Sequence, residues 1–303
     1  MRKSIPAVKH MLPWVLAALL VLAFAYLGVG LYVASELSAP FRSPEEHTPA
    51  GEGLDYRTVT FQSTDGLELE GWWVSKPGSS RAVILVPGFM ANKSGSYVLE
   101  TAAIYARAGY SVLMVDTRAQ GHSEGEHITL GYQEVRDVRG ALAWLGKRGF
   151  EPREIVLHGW SMGGATVVRA APGTGVSAVV EDSGYADLPL LLRRALPEAS
   201  GLSPFFNPSI MLAAKYFLGL DPWAVRPEED ASELSEEGAP LLIIHSTTDR
   251  TVPYEHAKLF KTAYPTAELW RITGYEHAKA YTNPRYDEKL LSFLRSVHAK
   301  GTP

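Results

Sequence analysis

The sequence predicts an α/β protein: a mainly parallel sheet with helices on both faces and a small helical cap, preceded by one transmembrane helix. Three observations carry this reading. Short continuous apolar runs alternate with helical spacings from residue 82 onward, the pattern of strands buried on both faces. A G-x-S-x-G pentapeptide stands between one such run and a helical stretch, the setting a nucleophile elbow requires. A charge-free stretch of Leu, Val and Ala fills residues 11–35.

Composition bounds the rest. The 303 residues are 46% apolar or aromatic and 20% charged, with 27 Gly and 20 Pro. These values exclude a disordered chain, a coiled coil and a collagen-like repeat. A formal net charge of -4 leaves no basic footprint for nucleic acid. The absence of cysteine removes disulfides, thiolate metal sites, a cysteine nucleophile and cysteine-based lipid anchors.

The apolar stretch at residues 11–35 exceeds the roughly 20 residues that a helix needs to span a hydrocarbon core of about 30 Å. Trp14 stands near one end and Tyr26 and Tyr32 toward the other, as interfacial anchors do. A cleaved signal peptide is the competing reading, but its apolar region is normally about 7–15 residues, and Val33-Ala34-Ser35 is a weak cleavage site. Arg2, Lys3 and Lys9 precede the span, whereas Glu36, Arg42, Glu45 and Glu46 follow it. The positive flank predicts a cytoplasmic N-terminus (residues 1–10) and an extracytoplasmic catalytic domain at the cell membrane. Residues 36–53, with Pro40, Pro44 and Pro49, read as a flexible stem, and residues 54–303 as the globular domain.

Within that domain, Thr58-Val59-Thr60-Phe61 alternates polar with apolar, and Thr64-Asp65-Gly66 turns the chain into residues 67–74, a hairpin signal. Strands follow at residues 82–86, 111–115, 155–157, 177–180, 241–244 and 268–272. Helices are expected at residues 95–108 and 132–148, the latter on the spacing of Val135, Val138, Leu142 and Leu145. Residues 187–238 break the rhythm with apolar clusters and Pro197, Pro204, Pro208, Pro222 and Pro227. They read as a cap over the carboxyl ends of the strands, where open α/β sheets bind ligands. Leu190-Leu191-Leu192, Phe205-Phe206 and Met211-Leu212 would make that cap apolar.

The chemistry centres on Gly159-Trp160-Ser161-Met162-Gly163. Ser161 is the candidate nucleophile, and the helix N-terminus behind it favours developing negative charge. A serine hydroxyl needs a base, and the base an orienting acid. In strand–turn–helix hydrolases the chain order is Ser, acid, His. Asp249 and His277 fit, each just past a strand. Asp182 is the alternative acid. His158 and His245 end strands and read as packed residues, while His256 and His298 fall in helical stretches and His47 in the stem. An oxyanion hole needs two backbone N–H groups; Met162 and Phe89, in the loop Pro87-Gly88-Phe89-Met90, are the candidates. An ordinary Pro-Gly turn is the plain alternative for that loop.

Over residues 57–297 the chain resembles the α/β-hydrolase superfamily. The matching pieces are Pro87-Gly88-Phe89, Asp116-Thr117-Arg118-Ala119-Gln120-Gly121-His122-Ser123, the elbow at Ser161, the Asp249 segment and His277. It looks most like bacterial single-pass membrane-anchored serine hydrolases, with some similarity to prolyl-oligopeptidase-type peptidases. The resemblance implies a Ser161–Asp249–His277 triad with Phe89 and Met162 as oxyanion donors. Pro87 stands where many members have His, and Ala119 where they have Gly. The expected activity is acyl transfer from a carboxylic ester or thioester of a small acyl or lipid-like substrate, without metal or organic cofactor. A peptidase and a non-catalytic binding protein on the same scaffold are the competing readings.

Overall fold

A computed structural model describes residues 7–300, with side chains described for residues 11–299. The chain opens with a long helix, α1 (Ala7–Leu37). Two antiparallel strands follow, β1 (Arg57–Gln62) and β2 (Glu68–Val74). The repeating part is then β3 (Ala82–Val86), α2 (Ser96–Arg107), β4 (Ser111–Val115), α3 (Glu134–Gly146), β5 (Ile155–Trp160), α4 (Met162–Ala170) and β6 (Ala178–Asp182). After β6 come α5 (Leu188–Ser200), α6 (Asn207–Phe217) and α7 (Pro227–Glu237). The chain closes with β7 (Leu241–Ser246), α8 (Glu255–Ala263), β8 (Glu268–Ile272) and α9 (Tyr286–Lys300).

All eight strands form one sheet in the order β1-β2-β4-β3-β5-β6-β7-β8. From β4 to β8 the neighbours are parallel, so the carboxyl ends of β3, β5, β6, β7 and β8 share one edge. The period-2 alternation of strands sorts the same runs into two cores. Ile84, Leu113, Leu157, Val179 and Ile243 face α3, α4, α7 and α8, with Val138, Val167, Leu234 and Phe260 opposite them. Their neighbours Leu85, Met114, Val156, Val180 and Ile244 face α2 and α9, where Tyr286, Leu290, Phe293 and Leu294 present one helical stripe.

The cap is smaller than residues 187–238. Ala231 and Leu234 of α7 belong to the core beneath the sheet, so α7 is a layer helix and the cap consists of α5, α6 and their connections. Local chemistry sets these ends. Asp187 caps α5 by accepting the Leu190 N–H at 2.7 Å, and α7 starts at Pro227 with Glu228, Glu229 and Asp230 in its first turn. A third core joins the cap to the elbow side of the sheet through Met162, Tyr185, Leu192, Ile210 and Met211. The apolar cap residues therefore do not simply roof a pocket: Leu192 and Met211 are buried within the cap, whereas Phe205, Leu190 and Leu212 are exposed on it.

Among the described residues one helix is long and apolar enough to cross a membrane, over Met11–Leu37, with a mean hydropathy of 2.4. Its second half is not free. Ala34, Leu31, Val33 and Leu37 pack into the cap core. Gly30 lies so close to α6 that a Cβ would sit 2.5 Å from the Ser209 backbone, which is why glycine is needed there. Residues 36–53 also depart from the flexible stem expected of them. The Phe41 N–H donates to the Ala119 carbonyl at 2.7 Å, and Phe41 in turn accepts from the Gly121 N–H. Arg42 donates to the carbonyls of Gly121, Ser123 and Gly125. Glu45 pairs with the buried Lys93. The segment is a strap laid on the domain, its ordering entropy offset by these backbone hydrogen bonds and by the charged side chains of Arg42 and Glu45.

Candidate active site

The site is built at the carboxyl edge of the parallel strands. β5 runs straight into α4 through Ser161, whose φ of 54° and ψ of -119° are strained for a residue with a side chain. The surroundings hold it there. The Ser161 N–H donates to the Asp182 carbonyl at 2.8 Å, and the Ala165 N–H to the Ser161 carbonyl at 3.0 Å. Gly163 lets α4 press against the end of β3, since a Cβ there would overlap the Val86 carbonyl.

His277 follows β8 and Asp249 follows β7. The structure brings all three side chains into one hydrogen-bonded chain: His277 Nε2 lies 2.8 Å from Ser161 Oγ, and His277 Nδ1 lies 2.7 Å from Asp249 Oδ2. Asp249 is buried, and its other oxygen accepts the N–H groups of Thr251 at 2.9 Å and Val252 at 3.0 Å. An imidazole whose Nδ1 carries the proton donates to Asp249 in this geometry and turns its Nε2 lone pair toward the Ser161 hydroxyl.

Asp182 makes different contacts. It is buried, and its oxygens take the hydroxyls of Ser183 at 2.8 Å and Tyr286 at 3.4 Å, without a hydrogen bond to His277. Burial pushes its pKa up to about 7.

The loop after β3 passes directly over the nucleophile: a Cβ on Gly88 would lie 3.2 Å from that of Ser161. The Gly88 N–H donates to the Tyr97 hydroxyl at 3.3 Å and the Ala91 N–H to Gln120 Oε1 at 3.2 Å. Between them, the Phe89 N–H has no acceptor among the described residues. Met162 opens α4, so its N–H precedes the first intrahelical bond. Both amides thus lie in segments that adjoin Ser161, the loop through Gly88 and the first turn of α4.

Tyr97, Gln120 and Lys93 support this loop, and sequence reasoning missed all three. The Lys93 N–H and ammonium both bind Asp116, at 2.8 and 2.6 Å, and Asp116 also accepts the His122 N–H at 3.1 Å. That knot ties the loop after β3 to the loop after β4. Ala119, at φ 58°, keeps the left-handed conformation that a glycine would adopt more easily. Only the buried position of these side chains marks them, and no local spacing could have done so.

The histidines expected in strands and helices are held by other partners: His158, His245 and His256 are buried and His298 is half-buried, whereas His47 is exposed. His158 stacks on Trp160 and touches the Tyr105 hydroxyl at 3.2 Å; His245 bonds the Val252 carbonyl; His256 Nδ1 accepts the Ala186 N–H; His298 meets the Tyr110 hydroxyl. Burial pushes the His158 pKa down to about 3. The unfolded chain therefore takes a proton near pH 6.5 that the fold refuses, and this stabilisation, complete above pH 6.5, is lost as pH falls toward 3. We expect the stability penalty of His158→Gln to shrink by up to ~1.4 kcal/mol per pH unit below pH 6.5. Buried acids such as Asp182 act with the opposite sign in both proteins and cancel in this comparison. Urea unfolding of both at pH 7.5, 6 and 5 measures it, and a pH-independent difference would contradict the assignment.

A cavity of about 580 Å³ opens beside His277, lined by Thr248, Arg250, Thr251, Tyr275 and Glu276. On the other side of the nucleophile, Phe89 and Met90 are exposed. The two flanks thus differ in side chains: Arg250, Glu276 and two threonines on one, Phe89 and Met90 on the other.

The model of the alpha/beta hydrolase family matches residues 83–279. The chain belongs to this family. Among relatives of this hydrolase, the uncharacterised protein YfhR of Escherichia coli K12 is 24% identical over 96% of this chain and 97% of its own length. Human phosphatidylserine lipase ABHD16A is 25% identical over 83% of this chain, which spans 47% of that lipase. Among solved structures, the Pyrococcus furiosus esterase Pf2001 superposes with a TM-score of 0.69 at 23% identity, covering 86% of this hydrolase and 98% of the esterase. That likeness is one of fold.

Proposed function

We propose that this hydrolase is a membrane-anchored serine esterase that cleaves carboxylic ester or thioester bonds of amphiphilic acyl substrates through an acyl-enzyme. The observation that carries the reading is the hydrogen-bonded chain Ser161–His277–Asp249 with the serine on a strained elbow. Ser161 Oγ attacks the carbonyl carbon while His277 Nε2 takes its proton, and Asp249 stabilises the imidazolium. The tetrahedral oxyanion receives the Phe89 and Met162 N–H groups. Its collapse expels the alcohol or thiol, which leaves with the proton from His277. Water then repeats the sequence on the acyl-enzyme and releases the acid. Each role falls to a side chain or backbone group of this chain.

The substrate class follows from the two flanks of the site. Arg250, Thr248 and Glu276 suit a polar end, and Phe89 with Met90 suits an acyl chain. The name phosphatidylserine lipase borne by one relative points the same way. Residues 11–37 would anchor the chain in the membrane, with Arg2, Lys3 and Lys9 on the cytoplasmic side and the catalytic domain outside.

Each methylene withdrawn from water contributes about 0.8 kcal/mol. We therefore expect kcat/KM for p-nitrophenyl esters to rise roughly tenfold or more from acetyl to hexanoyl, less than half of the full transfer free energy of four methylenes. A flat or falling series would limit the reading to a short-chain esterase. Fluorophosphonate labelling confined to Ser161 tests the nucleophile independently of substrate choice.

A further inference from the structure

The length of α1, set against where the cap grips it, determines how deep the cap must lie. The first contact between them is at Tyr26, whose hydroxyl donates to the Phe205 carbonyl at 2.7 Å and whose ring lies 5.0 Å from that of Phe205 and 5.5 Å from that of Phe206. From there α6 runs alongside α1 in the same direction: Gly30 meets Ser209, and Ala34 meets Ile210, Met211 and Ala214. The free part of the apolar stretch, residues 11–25, rises only about 22 Å at 1.5 Å per residue. A hydrocarbon core is about 30 Å thick. The remaining distance, about 8 Å, has to be crossed by the part of α1 that already carries the cap. Lys9 prevents the helix from sliding outward to make up the difference, and any tilt deepens the cap further.

The strap removes the other escape. Residues 38–45 are fastened to the domain through Ser38, Phe41, Arg42 and Glu45, so the domain cannot swing away from α1. The surface this places at the bilayer is the right kind. Phe205 is 68% exposed, and Tyr216 and Phe217, further along α6, are 71% and 64% exposed. Phe205 adjoins the exposed apolar face of α1 through Tyr26, and a continuous exposed apolar surface, unlike a scattered one, marks a membrane or partner contact. The one ammonium on α6, Lys215, lies at the far end from Phe205 and is paired with Asp221 at 2.7 Å.

We propose that the Phe205–Phe206 turn and the first turn of α6 are immersed in the hydrocarbon of the leaflet nearest the domain, with Tyr216 and Phe217 at headgroup depth. The hydrolase domain then sits on the lipid surface, and an amphiphilic substrate reaches the site from the bilayer without crossing water. This rests on α1 being the membrane anchor, and the test separates the two. The chain has no cysteine, so single Val21→Cys, Phe205→Cys, Phe217→Cys and Thr266→Cys variants of the full chain each carry one nitroxide. In phosphatidylcholine bilayers, the relative access of oxygen and a water-soluble nickel chelate reports depth. Val21 and Phe205 should favour oxygen, with several-fold less nickel access than Thr266, and Phe217 should lie between. Val21 buried with Phe205 as open to nickel as Thr266 would overturn the immersed cap while leaving the anchor intact. Nickel access at Val21 would overturn both. Dipolar broadening at Phe205, with neither reagent reaching it, would mean that a second copy of the chain covers the face, and would also overturn the proposal.

Discussion

Ser161→Ala should abolish ester turnover, with a loss on the order of 10⁶ in kcat, while leaving the fold intact. The residual activity that survives loss of a triad nucleophile comes from substrate binding and oxyanion donors, which this substitution does not touch. The fold should survive because Ser161 Oγ has His277 as its partner and fills no core position. The strained backbone is held by the Asp182 carbonyl and the glycines around it, which the substitution retains. Alanine at φ 54° bears the same strain as serine. Circular dichroism and urea midpoint should therefore match the parent, and fluorophosphonate labelling should vanish. More than a few per cent of parental turnover in pure protein would remove Ser161 from the role.

Asp249→Asn comes second in expected size, about 10⁴ in kcat, the loss found when the same exchange is made in a well-studied triad. The asparagine amide still accepts the Thr251 and Val252 N–H groups through its oxygen. Its NH2 group then faces His277 Nδ1, so the imidazole turns its lone pair inward and presents a proton to Ser161 instead of accepting one. The effect should fall on kcat with little change in KM. Asp182→Asn is the control, because Asp182 touches Ser183 and Tyr286 rather than His277, and it should cost far less. Were the two variants to rank in the opposite order, the acid would have to be reassigned to the end of β6.

Much of the fold was legible because its signals are local. Strands β3 and β4 run over the residues that their apolar runs predict, since a strand buried on both faces must be apolar throughout; the edge strand β8, with Glu268 and Arg271, is only partly buried and still keeps its expected bounds. The elbow was legible for a similar reason: a strand, two glycines and a serine in five residues leave little freedom for what lies between. The alternation of side chains already implied two cores, although not which helix covers which.

The cap boundary was less legible. Proline and apolar clusters run through residues 187–238 alike, and only Ala231 and Leu234 beneath the sheet show that α7 belongs to the layer. The strap was harder still. Pro40, Pro44 and Pro49 read as a linker by composition, yet their neighbours find partners in the loops after β3 and β4, some 50 to 80 residues away in sequence.

By itself, the sequence determined the α/β class, the alternation of elements, the apolar stretch at residues 11–35 and three residue types in the chain order that acyl transfer uses. Each of these rests on spacing between near neighbours, which periodicity and turn chemistry express directly. Only the tertiary structure decided that Asp249 rather than Asp182 meets His277, that Lys93 and Gln120 brace the loop over Ser161, and that α1 is clamped to the cap through Gly30 and Tyr26. Those are contacts between segments far apart in the chain, made where the sheet brings its strand ends to one edge, and a distance across that edge has no counterpart in residue spacing.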